Sequence, residues 1–200
     1  MAKGKGRKKA KDKWGAKEWY KIFAPDIFGG IQVGETLAED PSKLIGRVIE
    51  ITPQDISGDF SKMHIKLYLK IADVKGFDAH TIFIGHDLTS DYVRRLTRRK
   101  HTKIDFVIDG QTKDSYQIRI KTLALTEEKL QGTQQTEIRN ITDEYIKKVL
   151  PELTLADIIK ETINGEFAKK VFRECKHIYP LKKIEIRKTV VSHPVPGVEA

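Results

Sequence analysis

The chain has 200 residues, of which 39% are hydrophobic and 32% are charged, and its formal net charge is +9. Such a composition is typical of a globular protein with a heavily charged surface, and no apolar run is long enough to cross a bilayer. The single cysteine, Cys175, excludes an internal disulfide, a zinc finger and a CxxC site. Because the N-terminus also lacks the apolar centre of a secretory signal, we expect a cytoplasmic protein. We expect no cofactor and no metal.

The excess positive charge is concentrated at the N-terminus. Residues 1–21 hold nine Lys or Arg against Asp12 and Glu18, a net +7, whereas the rest of the chain holds 28 basic and 26 acidic residues. A block of like charge repels itself and orders only when an anionic partner arrives. We therefore expect this segment to be a disordered tail that binds RNA phosphates, each contact releasing counterions. The predicted phosphate-binding residues of the tail are Lys3, Lys5, Arg7, Lys8, Lys9, Lys11 and Lys13.

Other interpretations of this region remain open. A basic tail can also serve solubility or sorting, and it can bind an anionic membrane, although no amphipathic apolar face accompanies the charge here. Trp14, Trp19 and Tyr20 are candidates for stacking on unpaired bases, but aromatic residues at the entrance to a domain are more often core anchors.

Strand patterns begin after a segment rich in Gly and Pro, residues 22–44, which we expect to be an extended arm. The segment 45–52 is rich in β-branched residues, and 62–73 alternates with period 2, which predicts a strand with one wet face. Its partner in a hairpin is predicted over 76–85, with the turn near Gly76. The apolar face of the alternating strand is predicted to contain Met63, Ile65, Leu67, Leu69 and Ile71.

A short amphipathic helix is predicted within 87–103, capped by Thr89 or Ser90. At 100° per residue, Tyr92, Val93 and Leu96 share one side. Because Arg grips phosphate oxygens in pairs, the opposite side is a candidate phosphate site, whereas the alternative is a solvated face paired to nearby carboxylates. The candidate residues of this helix and its continuation are Arg94, Arg95, Arg98, Arg99, Lys100 and Lys103.

The rest of the chain completes an α+β pattern. The further predicted elements are strands over 104–109, 115–125 and 182–191, and helices over 136–150, 155–164 and 166–175. Thr154 and Asp157 match a capping box at the start of the second of these helices. We predict an antiparallel β-sheet or a partly closed β-barrel with helices. The expected organisation is a basic tail (1–21), an arm (22–44), one α+β domain (45–191) and a short C-terminal tail (192–200).

Catalytic motifs are absent from the sequence. The six histidines form neither an HxH nor an HExxH pattern, and no phosphate-binding GK[ST] loop or GxSxG elbow occurs. An enzyme acting on nucleic acid would need a carboxylate cluster, for which Asp73, Asp78 and Asp87 are the candidates. We therefore expect a protein that is not an enzyme, and a free single-stranded RNA-binding module in translation or RNA processing is the alternative to a structural RNA-binding component.

Five ordered segments resemble the archaeal and eukaryotic family of small-subunit ribosomal proteins called S-three-Ae (also e-S-one). The resemblance spans most of residues 14–190, and five matches in the same order are far more specific than any single one. The segments are WYKIFAPDIF (19–28), GRVIE (46–50), GHDLTSDYVRRLTRRKHTKID (85–105), DSYQIRI (114–120) and IYPLKKIEIRK (178–188).

This resemblance implies a structural constituent of the small ribosomal subunit. Its place would be the platform, near the 3′ end of the small-subunit rRNA and the mRNA exit, and its partners would be rRNA, neighbouring ribosomal proteins and mRNA near the exit, but no membrane. The short segment beyond Lys188 favours an archaeal-type member. The matched positions that the resemblance assigns to RNA binding are Trp19, Tyr20, Arg47, Arg94, Arg98, Arg119, Arg187 and Lys188.

Overall fold

The computed structural model describes residues 14–97, 101–176 and 179–192, and these residues form eight strands and five α-helices. The strands are β1 (Glu18–Phe23), β2 (Gln32–Ala38), β3 (Val48–Ile51), β4 (Ile65–Lys75), β5 (Asp78–Leu88), β6 (Lys103–Gln111), β7 (Gln117–Thr126) and β8 (Leu181–Ser192). The helices are α1 (Pro53–Ser57), α2 (Ser90–Leu96), α3 (Gly132–Val149), α4 (Leu155–Asn164) and α5 (Glu166–Lys176). The predicted α+β class is thereby confirmed.

Strand β5 organises the sheet because three other strands pair with it. Strand β4 lies antiparallel along one edge of β5, and the connection between the two strands contains Gly76 with a φ of +63°. On the other edge, β1 pairs in parallel with the start of β5, and β8 pairs antiparallel with its end. Strands β7 and β6 follow β8, β3 flanks β4, and β2 flanks β1. The result is an open, mostly antiparallel sheet, the first of the two predicted architectures.

Helices α3, α4 and α5 cover one face of this sheet. Thr154 caps α4 as predicted, since its hydroxyl accepts a hydrogen bond from the Asp157 backbone N–H at 3.3 Å, but the Asp157 carboxylate accepts from that same hydroxyl at 2.6 Å and not from the Thr154 backbone as in a full capping box. Gly165 ends α4 in the left-handed conformation, at a φ of +72°, so that α5 can start immediately in a new direction. Apolar side chains of both layers are thereby buried together. The largest of them include Ile104, Ile120, Leu123, Ile138, Ile146 and Phe167.

The arm predicted over 22–44 is extended, but it is not free. Strands β1 and β2 form an antiparallel hairpin, and β1 crosses the division expected at residue 21. Tyr20 and Ile22 from β1 bury themselves beside Leu44 and Ile71 in a second apolar cluster. Because β1 also pairs with the start of β5, the arm is part of the main sheet.

One local prediction needs correction and another can be narrowed. Met63 was expected on the buried face of β4, but β4 begins at Ile65, and Met63 follows the 3₁₀ turn Phe60–Lys62 with 56% of its surface exposed. Helix α2 lies within the predicted 87–103 with Thr89 as its N-cap, and it ends after Leu96 because Thr97 adopts an extended conformation.

Candidate nucleic-acid interface

Helix α2 is a short ridge on the surface, fixed by one apolar side. Tyr92 and Val93 are half-buried against the main core, while Arg94 and Arg95 point into solvent. The nearest carboxylate to Arg94 is that of Asp91, at 4.0 Å, and both side chains are more than 80% exposed. Such a contact is too loose and too well screened to hold the guanidinium group. The amphipathic pattern of the sequence is therefore confirmed for the described part of this helix.

Three residues predicted from the sequence line one cleft beside α2. The cleft has a volume of about 380 Å³ and lies between α2 and the outward faces of β4, β5 and β8. Arg94 comes from α2, Lys103 from the start of β6, and Arg187 from β8. We call this feature the basic cleft. Its polar lining residues are Lys66, Tyr68, Asp87, Thr89, Ser90, Arg94, Lys103 and Arg187.

Carboxylates neutralise part of the positive charge around the basic cleft. Lys103 lies 2.6 Å from Asp105, and Lys188 lies 3.0 Å from Asp87. By contrast, no carboxylate of the described residues forms an ion pair with Arg187. Arg94 and Arg187 therefore supply the uncompensated charge, and two planar guanidinium groups around one opening suit a phosphate.

A stacked pair of aromatic rings lies on the other side of α2. The His64 and Tyr92 rings stack with their centroids 4.1 Å apart, and the Tyr92 hydroxyl accepts a hydrogen bond from Lys183 at 2.9 Å. Burial lowers the pKa of His64 and raises the pKa of Tyr92. Both rings are consequently uncharged near neutral pH.

Arg119 and Arg47 are already engaged within the protein. The Arg119 guanidinium donates two hydrogen bonds to the Asp109 carboxylate, at 2.6 and 2.8 Å, and this pair lowers the pKa of Asp109. Arg47 donates to the Thr36 hydroxyl at 2.9 Å and to the Leu37 carbonyl at 3.0 Å, so it fastens β2 to the following loop.

The three aromatic candidates near the N-terminus lie in different environments. Tyr20 is only 2% exposed and packs in the second apolar cluster, so it is a core anchor and not a surface for stacking bases. Trp19 is 61% exposed and Trp14 is 72% exposed, with the Lys17 ammonium 3.8 Å from the centre of the Trp14 ring. Of the three, only the two tryptophans offer a ring to an external base.

Ten candidate residues lie outside the described part of the chain, and their role stays a prediction. They are Lys3, Lys5, Arg7, Lys8, Lys9, Lys11, Lys13, Arg98, Arg99 and Lys100.

The structure also brings to this surface two lysines, Lys66 and Lys182, that the sequence did not single out as phosphate-binding residues. His101 donates through Nδ1 to the Glu127 carbonyl at 2.9 Å, which leaves Nε2 as an acceptor for the Lys182 ammonium at 3.3 Å. Lys66 joins the basic cleft from β4, where its 2.6 Å contact with Glu50 raises the pKa of Lys66. The alternation of β4 does place Lys66 on the wet face, but only the pairing of β4 with β5 brings it beside the arginines.

The structure argues against the carboxylate cluster that a nuclease would need. Asp78 begins β5 and Asp87 lies near its end, about 30 Å away at roughly 3.3 Å per residue. Among residues 14–97, 101–176 and 179–192, no three His, Cys, Asp or Glu side chains converge as they would around a metal ion. Nor is any helix of these segments both long and apolar enough to cross a membrane.

Comparison with known proteins shows which sequences this chain is similar to. The model of the Ribosomal S3Ae family matches residues 5–194. The protein named small ribosomal subunit protein eS1 from Staphylothermus marinus is 43% identical over 179 residues, covering 90% of this chain and 84% of the relative. The eS1 proteins of Desulfurococcus amylolyticus and Saccharolobus islandicus are 44% and 46% identical, covering 92% and 90% of this chain and 87% of each relative.

Proposed function

The chain belongs to the Ribosomal S3Ae family, and we propose that it serves as a structural constituent of the small ribosomal subunit by holding rRNA phosphates in the basic cleft. The family is one of structural ribosomal proteins rather than enzymes, and its relatives here are archaeal. We place the protein in the cytoplasm, on the platform of the subunit near the 3′ end of the rRNA and the mRNA exit. Its partners there are rRNA, neighbouring ribosomal proteins and mRNA near the exit.

The observation that carries this proposal is the position of Arg94 and Arg187 around one opening. They come from elements separated by more than ninety positions in the sequence, and they remain uncompensated although most nearby lysines are paired. A rigid sheet holds the backbone of Arg187, and the packed side of α2 holds the backbone of Arg94, so the relative position of the two residues is fixed before RNA binds. An arginine at such a site can donate two parallel hydrogen bonds to one phosphate group. Such a bidentate contact fixes the orientation of the rRNA backbone and adds to the affinity for it.

The test measures the salt dependence of rRNA binding. Each phosphate contact contributes about 0.7–0.9 to the slope of log affinity against log salt, so the double variant Arg94→Gln/Arg187→Gln should lower the slope by roughly 1.5. The matched control is Lys75→Gln/Lys148→Gln, which removes the same charge from exposed positions on the β4–β5 turn and on α3. Equal slopes for the two double variants would reject the basic cleft as a phosphate site.

A further inference from the structure

An exposed groove lies on the side of α2 opposite the basic cleft. Its volume is about 630 Å³, and its lining is largely apolar and aromatic. Phe60 and Met63 stand at its rim, 71% and 56% exposed. The residues that matter here are Phe60, Met63, His64, Tyr92, Arg95 and Leu96. We call this feature the aromatic groove.

Burial of apolar area does not explain the position of Phe60. A phenylalanine with most of its surface in water forfeits about 1.5–3 kcal/mol that burial would provide. The 3₁₀ turn that carries it is nevertheless well fixed, because Asp59 accepts hydrogen bonds from the Ser61 backbone at 3.0 Å and from its hydroxyl at 2.7 Å. A second tie is the hydrogen bond from Lys62 to Asn164 at 2.8 Å. The exposed ring is thus displayed on an ordered turn.

The charge around the aromatic groove identifies the chemistry of its occupant. The lining contains one carboxylate, Asp91, which already faces Arg94 at 4.0 Å, and it contains the exposed Arg95. Behind the stacked rings, the Lys183 ammonium lies 5.5 Å from the centre of the Tyr92 ring, but the Glu185 carboxylate at 2.6 Å already neutralises it, so Arg95 is the cation that this lining offers. An apolar protein segment would need no cations here, whereas an unpaired nucleotide needs both an aromatic surface for its base and a cation for its phosphate.

The aromatic groove adjoins the basic cleft at the start of α2. Thr89 lines both, and the consecutive residues Arg94 and Arg95 point to the two sides of α2. We propose that the aromatic groove binds unpaired RNA bases while the arginines of α2 hold the adjoining backbone, so that the protein takes single-stranded rather than duplex RNA at this surface. The inference rests on the proposed function, because it assigns the RNA class that the same surface accepts. Duplex RNA stacks its bases on one another and cannot place them in the groove.

The test compares two RNA probes on the full chain: an oligoadenylate of about twelve nucleotides and a mixed-sequence duplex of similar length. Phe60→Ala should weaken binding of the oligoadenylate by about five- to hundredfold, the range for loss of one stacked base. Duplex affinity and the salt slope should stay unchanged. Phe60→Trp should restore binding. The control is Phe77→Ala, which removes an aromatic ring of similar exposure, 57%, from the opposite end of the β4–β5 hairpin.

The outcomes separate this inference from the proposed function. Equal losses on both probes, no loss on either, or no binding of oligoadenylate by the unsubstituted chain would overturn the aromatic groove as a base site. If Phe60→Ala impairs assembly into small subunits without changing RNA affinity, a neighbouring protein is the occupant and the inference is also overturned. In each of these cases, a lower salt slope for Arg94→Gln/Arg187→Gln would still support the basic cleft, whereas an unchanged slope would reject the cleft independently.

Discussion

His86 on β5 is fastened to Thr189 on β8 by a buried hydrogen bond, with 2.5 Å between Nδ1 and the hydroxyl oxygen. The other ring nitrogen, Nε2, lies 3.2 Å from the Ile186 carbonyl, which can only accept. His86 therefore carries its hydrogen on Nε2, and the Thr189 hydroxyl donates to Nδ1. The neutral imidazole satisfies two groups of β8 at the point where the two halves of the sheet meet. Burial lowers the pKa of His86 to about 4.

This histidine should make stability depend on pH in a defined window. In the unfolded chain His86 takes up a proton near its ordinary pKa of 6.5, whereas in the folded chain it stays neutral down to about pH 4. Unfolding consequently takes up a proton between these values, so the free energy of unfolding falls as the pH drops from 6.5 to 4. The contribution, complete above pH 6.5, is about 3 kcal/mol.

Urea unfolding of the unsubstituted chain and of His86→Gln at a series of pH values checks this. The variant should be less stable at pH 7, but its stability should fall less steeply on acidification because it lacks the titrating ring. Carboxylates titrate in both proteins and cancel in the difference. Parallel profiles between pH 7 and pH 4.5 would show that His86 does not change its protonation on unfolding.

A second prediction concerns Gly85, which lies next to His86. A Cβ atom there would come within 3.0 Å of the Thr189 carbonyl oxygen, a backbone atom that cannot move without breaking the β5–β8 pairing. Gly85→Ala should therefore lower the free energy of unfolding by about 1–3 kcal/mol or more. Gly34→Ala is the control, since a Cβ at that strand position meets no atom within 4 Å. Its unfolding midpoint should match or exceed that of the unsubstituted chain, and equal midpoints for both variants would contradict the steric argument.

The fold could be predicted from the sequence where one face of an element is buried and the other is wet. The alternation over 62–73 predicts a strand, and Ile65, Leu67, Leu69 and Ile71 are all nearly inaccessible to solvent. The parallel pairing of β1 with β5 could not be predicted, because it joins residues more than fifty positions apart through three register pairs. Neither could the exposure of Met63, since periodicity does not reveal where a strand begins.

The residue types of the site could be predicted from the sequence, but which of its cations are paired with carboxylates could not. Clustered arginines indicate a phosphate site, and Arg94 and Arg187 do meet in one cleft. Several of the cations are neutralised by cross-strand pairs that a linear sequence does not display, such as Lys66 with Glu50 and Lys188 with Asp87. Arg119 lies opposite Asp109 in the β6–β7 register, and this pairing explains why its guanidinium is engaged.

That pair leads to a third prediction. Asp109 competes with phosphate for the Arg119 fork, so Asp109→Asn should strengthen rRNA binding and steepen the salt slope by about 0.7. Glu35→Gln, an exposed change on β2 that alters net charge equally, controls for long-range electrostatics. The double variant Asp109→Asn/Arg119→Gln should return the slope to its original value. If the single and double variants bind alike, Arg119 is not a phosphate contact even when released.

A fourth prediction addresses the N-terminal tail. Residues 1–13 contain seven Lys or Arg and one Asp, and contacts at about 0.7 each would add roughly 5 to the salt slope. Deleting these residues should flatten the measured slope by most of that amount. An unchanged slope would rule the tail out as a phosphate binder.

A rearranged tail distinguishes charge from sequence. If the tail acts only through counterion release, a variant with residues 2–13 in shuffled order should keep the original slope, because the number of cations is unchanged. The basic cleft should behave differently, since Arg94→Lys/Arg187→Lys keeps the charge but loses the planar fork that grips two oxygens. We expect that variant to bind more weakly at an unchanged slope. Loss of binding by the shuffled tail would instead mean that individual tail residues make specific rRNA contacts.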